Sequence, residues 1–280
     1  MGTIAHTGIK INCKKNLSNK KLNKMAKVLG IGNALLDLLM QVEDQFLKEI
    51  NLPKGGMEMI DVEKNKEILA LTEQFERMMV SGGTSSNCLH AIIHLGGDCT
   101  FQGKVGKDAQ GDAFEEDLKK SGIKTKITRT DVPTGCANTF VTKDGERTFA
   151  TFLGAAATLG VDDIIAENMK GMKLLHTEGY LIFNTDMFRK MMQTAKQEGL
   201  LVSLDAGSFN IINGFKAFFD ELLDNYVDII FCNEEESQAL TGLSDPYQSI
   251  EVLAKKVKVP VVKLGKEGSL VRVNGQTVKV

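Results

Sequence analysis

The sequence predicts an α/β domain built on a mostly parallel central sheet, with a small β-sheet appended to it. Three observations carry that expectation. Past residue 160, apolar strand-like runs alternate regularly with helical patterns, as in parallel strands joined by crossover helices. Over residues 81–112, a Gly-rich turn opens an apolar helix that leads into a strand and a second Gly-containing turn. Residues 134–158 break the alternation. There TGCANTFVTKDGERTFATFLG reads as two strands joined at Asp144-Gly145, a strong hairpin signal.

A chain of 280 residues with 42% apolar content can bury a large core, so disorder is not expected for its bulk. The formal charge of -2 hides a segregation. The first 24 residues hold six Lys and no acid, which leaves 28 basic and 36 acidic side chains in residues 25–280. An acidic body is a poor partner for a phosphate backbone, so no nucleic-acid partner is expected. No apolar run approaches the length of a membrane span and no unbroken signal core opens the chain, so no membrane partner is expected either. Cys13, Cys88, Cys99, Cys136 and Cys232 form no CxxC pair or zinc spacing. Three of them sit in apolar segments, which suggests free thiols in a reducing, cytoplasmic compartment.

Taken in order, residues 1–24 are polar and without periodicity, and are expected to be a disordered basic tail. The strand KVLGIG then runs into GNALLDLLMQV, apolar on both sides except at Asp37. A carboxylate there is either hydrogen-bonded in the core or faces a ligand. Its company with Asn33 after a Gly-containing turn favours the ligand. Residues 61–79 carry Ile68, Leu71, Phe75 and Met78/Met79 at helical spacing. Gly82-Gly83 removes two side chains where a backbone must come close to something, and Thr84, Ser85, Ser86 and Asn87 supply polar groups at a helix start. Leu89, Ile92, Ile93 and Leu95 give that helix a buried face, and Gly96-Gly97 stops it before the run 99–105. A further helix begins at Ala109, with Phe114 and Leu118 on one face and Gly122 as its stop. The extended segment 37–60 is expected to join the 134–154 hairpin in the small sheet. Beyond it come helices at 162–170, 185–198, 214–225, 234–241 and 246–257, strands at 173–178, 200–205, 228–233 and 260–264, and a last hairpin at Asn274-Gly275.

Open parallel sheets bind ligands beyond the carboxyl ends of their strands. Asn33, Glu178, Asp205, Asn233 and Glu236 all follow strands, which suggests a cleft along one edge. Several chemistries are excluded. There is no GxxxxGK[ST] loop, since Gly103-Lys104 is followed by Val105, and Leu35 stands where a dinucleotide fingerprint needs Gly or Ala. His90 and His94 lie at i, i+4 without HExxH or a third ligand, so they are expected to be packed helix residues.

GNALLD, KGGMEMID, SGGTSSN, LGG, GKVGKDAQGD, PTG, DGERTFATFLGA, EGYL and FCNEEE, in this order, resemble the ribokinase-like (PfkB) family of carbohydrate and nucleoside kinases. They are most similar to its bacterial adenosine-kinase-like branch. The resemblance covers residues 25–280 and implies a three-layer αβα domain with a β-sheet lid from about 37–60 and 134–154. It implies transfer of the γ-phosphoryl of ATP, with Mg²⁺ and in some members a monovalent cation, to a primary hydroxyl of a sugar or nucleoside. By resemblance, Asn33, Asp37, Gly82, Gly83 and Asn87 hold the acceptor. Asn233 and Glu236 match the NxxE motif, Glu236 acting on Mg²⁺ through water, and Arg147 in the hairpin neutralises phosphate charge. Lys263, Gly265 and Gly268 lie in a run similar to the nucleotide-side TxGxxG turn, although Lys263 stands where Thr is usual. A homodimer through the lid is a further implication.

The family's DTTGAGD-like segment, which carries the general-base Asp and the anion hole, is expected after the Asn274-Gly275 hairpin, and the sequence stops at Val280 without it. The expectation is therefore a kinase shown without its C-terminal part. The rival expectation is a catalytically impaired protein that only captures a sugar or nucleoside. An NAD-dependent oxidoreductase rests on GIGNAL alone.

Overall fold

The computed structural model describes residues 27–280; the tail expected at 1–24 lies outside the described residues. A strand covered on both faces must be apolar on both, and the first strand is. In β1 (Lys27–Ile31), Leu29 and Ile31 enter one core and Val28 the other. Around β1 grows a nine-stranded sheet. On one side lie β5 (Asp98–Gly106) and β6 (Lys124–Thr130). On the other lie β9 (Leu174–Glu178), β10 (Leu201–Asp205), β11 (Ile229–Asn233) and β12 (Val259–Lys263), all parallel to it. The far edge is antiparallel, made by β13 (Ser269–Val273) and β14 (Gln276–Lys279). Their turn has Asn274 at φ 51° and Gly275 at φ 78°, the left-handed pair that a two-residue hairpin of matching twist requires.

Helices cover both faces. α5 (Thr185–Gln197), α7 (Lys216–Asn225), α8 (Glu234–Thr241) and α9 (Pro246–Leu253) bury Phe188, Phe219, Leu240 and Ile250 against Leu175, Leu204 and Ile230. On the opposite face α3 (Thr84–His94) and α4 (Ala109–Lys120) bury Leu89, Phe114 and Leu118 with Val28, Cys99 and Phe101. The fold is α/β in three layers, as the helix and strand alternation requires.

A second sheet of five strands has the order β3-β8-β7-β2-β4, from β2 (Leu35–Gln41), β3 (Met57–Met59), β4 (Met78–Gly82), β7 (Gly135–Val141) and β8 (Arg147–Phe152). Its two faces explain why GNALLDLLMQV is apolar on both. Leu36, Leu38 and Met40 join Phe140 and Ala150 in a core closed by Leu47 of α1 (Asp44–Glu49) and Ile68 of α2 (Val62–Leu71). The alternate residues Leu35, Asp37 and Leu39 therefore point to the other, open face.

Four elements differ from expectation. The helix expected over 61–79 ends at Leu71. Thr72 Oγ1 donates to the Ile68 carbonyl (2.7 Å), and the Arg77 guanidinium donates to the carbonyls of Leu69 (2.8 Å) and Thr72 (3.1 Å), so its last carbonyls are satisfied by side chains. Met78 and Met79 then pair with Leu39 and Leu38 as a strand. The helix expected at 162–170 is two short 3-10 turns, Val161–Asp163 and Ala166–Asn168. Asp163 is drawn off to Lys104 Nζ (2.9 Å) and the Gly160 N–H (2.8 Å), and the Gln102 amide takes its carbonyl (2.7 Å). The helix expected at 214–225 begins earlier, as α6 (Phe209–Gly214), and is broken at Phe215 before α7. The extended segment 37–60 is interrupted by α1.

Candidate functional site

The parallel strands end in a row, with Lys263, Asn233, Asp205 and Glu178 closing β12, β11, β10 and β9, and Asn33 just past β1. Sheet growth reverses direction at β1, so the loops after β1 and β9 diverge and leave a crevice, the place where such sheets take ligands. A cavity of about 310 Å³ lies there.

Its floor is built on Glu178. This carboxylate is buried; Oε1 accepts from the Asn33 N–H (3.1 Å) and Nδ2 (2.9 Å), and Oε2 from the Ser85 N–H (2.7 Å) in the first turn of α3. Burial pushes its pKa upward, against the bonds from Asn33 and Ser85 that favour the anion. Thr177 Oγ1 and Ser85 Oγ both donate to the Ile31 carbonyl, at 2.8 and 3.1 Å, which locks β1, β9 and α3 together beneath the floor. Gly83 caps α3 at φ 87°, and a side chain on it would strike the Asn33 carbonyl. A side chain on Gly82 would strike the Asp37 carboxylate. The two glycines thus bring the helix start, Asn33 and Asp37 together, as their position in the sequence suggests.

Asp37 stands on the open face of the small sheet, opposite Val80 and Ala137 and two residues from Leu35, which lines the cavity. Burial raises its pKa to about 6. Above the floor the walls are mainly apolar: Leu35, Met57 and Met59 from the small sheet face Tyr180, Phe183 and Ile211 from the large domain. Phe183 is 66% exposed and meets Phe215 edge to face at 5.6 Å between centroids. Ser208 and Asn210 add polar groups to the lining.

The nucleotide-side candidates lie further along the same edge. Asn233 and Glu236 form a reciprocal capping box at the start of α8, Oδ1 of Asn233 accepting from the Glu236 N–H and Oε2 of Glu236 from the Asn233 N–H, both at 2.8 Å. Burial raises the Glu236 pKa, opposed by the Asn233 bond and by Lys263. Lys263 Nζ pairs with Asp205 at 3.3 Å, and after β12 Gly265 (φ 56°) opens a 3-10 turn that Gly268 (φ 94°) closes.

Of the acceptor and hairpin candidates, Asn33 and Gly83 line the cavity, whereas Asp37, Gly82, Asn87 and Arg147 do not. Arg147 is exposed and pairs with Val141, at the end of β8 away from Thr151, which lines the cavity. Four strand steps separate them, roughly 13 Å. Asn87 is exposed on α3, where the helical turn that puts Ser85 and Ser86 inward turns its neighbour outward. Met57, Met59, Ser208 and Asn210 were not among the sequence candidates. The alternation in MEM was the one available sign for the methionines, and it does not tell which face meets a ligand. Among the described residues no three His, Cys, Asp or Glu side chains group as a ready-made metal site, and no helix is long and apolar enough to cross a membrane.

Residues 50–280 match the pfkB family carbohydrate kinase. The guanosine-inosine kinase of Escherichia coli K12 is 27% identical over 239 residues, 79% of this chain and 54% of that protein. The chain therefore spans about half the length of that relative. The crystal structure of adenosine kinase from Sinorhizobium meliloti superposes with a TM-score of 0.80 at 31% identity, over 91% of this chain and 79% of that one. A probable sugar kinase from Rhizobium etli CFN 42 gives 0.81 at 27% identity, over 92% and 79%.

Proposed function

The chain belongs to the pfkB family of carbohydrate kinases, and from that premise we propose that it captures a nucleoside and phosphorylates a primary hydroxyl of it with ATP. One observation favours a nucleoside over a free sugar. The cavity has a polar floor at Asn33, Gly83 and Glu178 but walls of Leu35, Met57, Met59, Tyr180, Phe183 and Ile211. Hydroxyls of a sugar find partners on the floor, whereas only an aglycone with flat apolar faces uses such walls. Seated this way, the ribose lies against the start of α3, its hydroxyls reach Asp37 and Asn33, and the base lies between the methionines and the aromatic pair.

The family implies ATP and Mg²⁺, and the donor set along the sheet edge fits them. Asp205 and the Asn233 amide at neighbouring strand ends and Glu236 in the first turn of α8 are hard oxygen groups, and Lys263 supplies a cation beside them. Those residues would hold the metal-nucleotide, the metal supplying charge neutralisation on the phosphates. The chain's own part is capture and orientation: the glycines let the backbone approach the sugar, and the small sheet lies over it as a lid and excludes water. The exposed Met57, Met59, Met78 and Val80 on the open face of that sheet also suit pairing with a second copy, which light scattering of the purified chain would show. Unpaired Cys88, Cys99, Cys136 and Cys232 suit a reducing cytoplasm.

The test is titration calorimetry with adenosine, inosine, guanosine, ribose and fructose, alongside ADP release with each. Tighter binding of a nucleoside than of ribose, with nucleoside-dependent ADP release, is expected. A preference for a free sugar would overturn the nucleoside assignment, and binding without turnover would support a capture protein.

A further inference from the structure

The chain crosses between the large and small sheets four times, after β1, β4, β6 and β8. Three of the crossings are tied by the same device. At Asn33 the backbone N–H and Nδ2 both go to Glu178 Oε1, at 3.1 and 2.9 Å. At Ser81 the N–H and Oγ both go to Asp117 Oδ2, at 2.9 and 2.5 Å. At Thr134 the N–H goes to Asp108 Oδ2 and Oγ1 to Asp108 Oδ1, at 2.8 and 2.6 Å. In each case one carboxylate of the large domain grips the main chain and the side chain of a single residue at the crossing. Bonds of this charged kind are roughly twice as strong as neutral ones.

Two of the three carboxylates sit on one helix. Asp108 is the N-cap of α4 and also takes the Gly111 N–H (2.8 Å), while Asp117 lies nine residues on, about 13.5 Å along the axis. α4 is itself held to the large sheet. Phe114 and Leu118 are fully buried, and Arg129 of β6 donates to Asp112 and Glu115, each at 2.7 Å. Ser81 gains one more partner, His90 Nε2 at 2.8 Å. The single hydroxyl proton of Ser81 goes to the carboxylate, so His90 is the donor in that contact. Burial opposes ionisation of Asp117 and Asp108, but the bonds from Ser81 and Thr134 outweigh it and hold both carboxyls below the usual range.

We propose that Asp117 and Asp108 are positioning residues, through which α4 fixes where the small sheet stands over the cavity. The small sheet supplies Leu35, Met57, Met59 and Thr151 to the cavity wall, so the set of its crossings decides the wall's distance from the floor. Only the affinity readout below rests on the acceptor-site reading; the exchange readout does not.

The experiment compares wild type with Ser81→Ala and Thr134→Val, which remove one hydroxyl each and leave the N–H bond to each carboxylate and the α4 cap in place; Thr134→Val also takes the acceptor from the Gly106 N–H at the end of β5 (2.8 Å). Hydrogen exchange is followed by mass spectrometry on the full chain without ligand. Each variant is expected to speed exchange about tenfold across β2, β4, β7 and β8 together, with β9 to β12 unchanged. KM for the acceptor should rise several-fold with KM for ATP unchanged, and Thr134→Ser should restore both readouts. Faster exchange confined to the residues beside each substitution, or spread equally into β9 to β12, would overturn the proposal, as would acceptor and ATP constants moving together. A wild-type chain that takes no acceptor would refute the site assignment while leaving the exchange pattern to decide this one.

Discussion

The proposed role of Asp37 in holding the acceptor predicts that capture fades in mild acid. Burial on the open face of the small sheet raises the Asp37 carboxyl to about 6. A carboxylate that holds two hydroxyls must be ionised to accept from both. With a pKa of about 6, roughly one tenth of the protein is competent at about pH 5 and nearly all at about pH 8, so the apparent Kd should weaken about tenfold over that span. The fold responds in the opposite direction. A raised carboxyl favours the folded state fully below its unfolded pKa, and that contribution is lost as pH rises through about 6. Two units correspond to roughly 3 kcal/mol, reduced to about 2 by the solvent that reaches the open side. Asp37→Asn should therefore raise the melting temperature at about pH 8 and leave it unchanged near pH 4, while binding the nucleoside weakly with no slope in pH. Calorimetric titration and thermal scans from acid to mild alkali read both effects. Glu178 is also raised by burial, so the variant is the control that separates them. A wild-type affinity flat with pH, or an Asp37→Asn protein that keeps the wild-type slope, would refute the assignment.

Three further outcomes follow from single contacts. Phe183→Ala should weaken nucleoside binding by about 1 kcal/mol through lost stacking, leave ribose binding unchanged, and barely move the melting temperature, because the ring is exposed. Glu178→Gln would set an amide donor against the Ser85 or Asn33 donors, costing about 1–3 kcal/mol by denaturant titration and abolishing acceptor capture. Leu36→Ala, inside the core beneath the small sheet, should cost about 3 kcal/mol in the same titration, since the side chain is 1% exposed.

Elements whose order is set within ten or so residues were legible in the sequence. The two hairpins at Asp144-Gly145 and Asn274-Gly275 needed only their turn residues, and α5 and α8 needed only their helical patterns and caps. Elements decided by distant partners were not. Met78 and Met79 fit a helical pattern as well as a strand, and what settles them is a ladder to Leu38 and Leu39, nearly forty residues earlier. Likewise Asp163 could have carried a helix onward, had Gln102 and Lys104 on β5 not taken its carbonyl and its carboxylate.

The site divides along the same line. Asp37 stood out as a charge in an apolar run, and Gly82-Gly83 as a backbone without side chains, because each is anomalous against its own neighbours. Glu178 showed only as one polar strand end among several, since its partner Asn33 is 145 residues away. Ser81 and Thr134 lie in the motifs SGGTSSN and PTG, but nothing local marked them as clamps: a serine before two glycines and a threonine after a proline are ordinary turn residues until α4 is laid across them. What gives these hydroxyls their role is a helix whose two carboxylates are spaced to reach both crossings at once. That spacing belongs to the packing of α4 on β5 and β6, and so to Phe114, Leu118 and Arg129 as much as to Asp108 and Asp117. A substitution at Arg129, far from any acceptor contact, should consequently reach the cavity wall through the same strut.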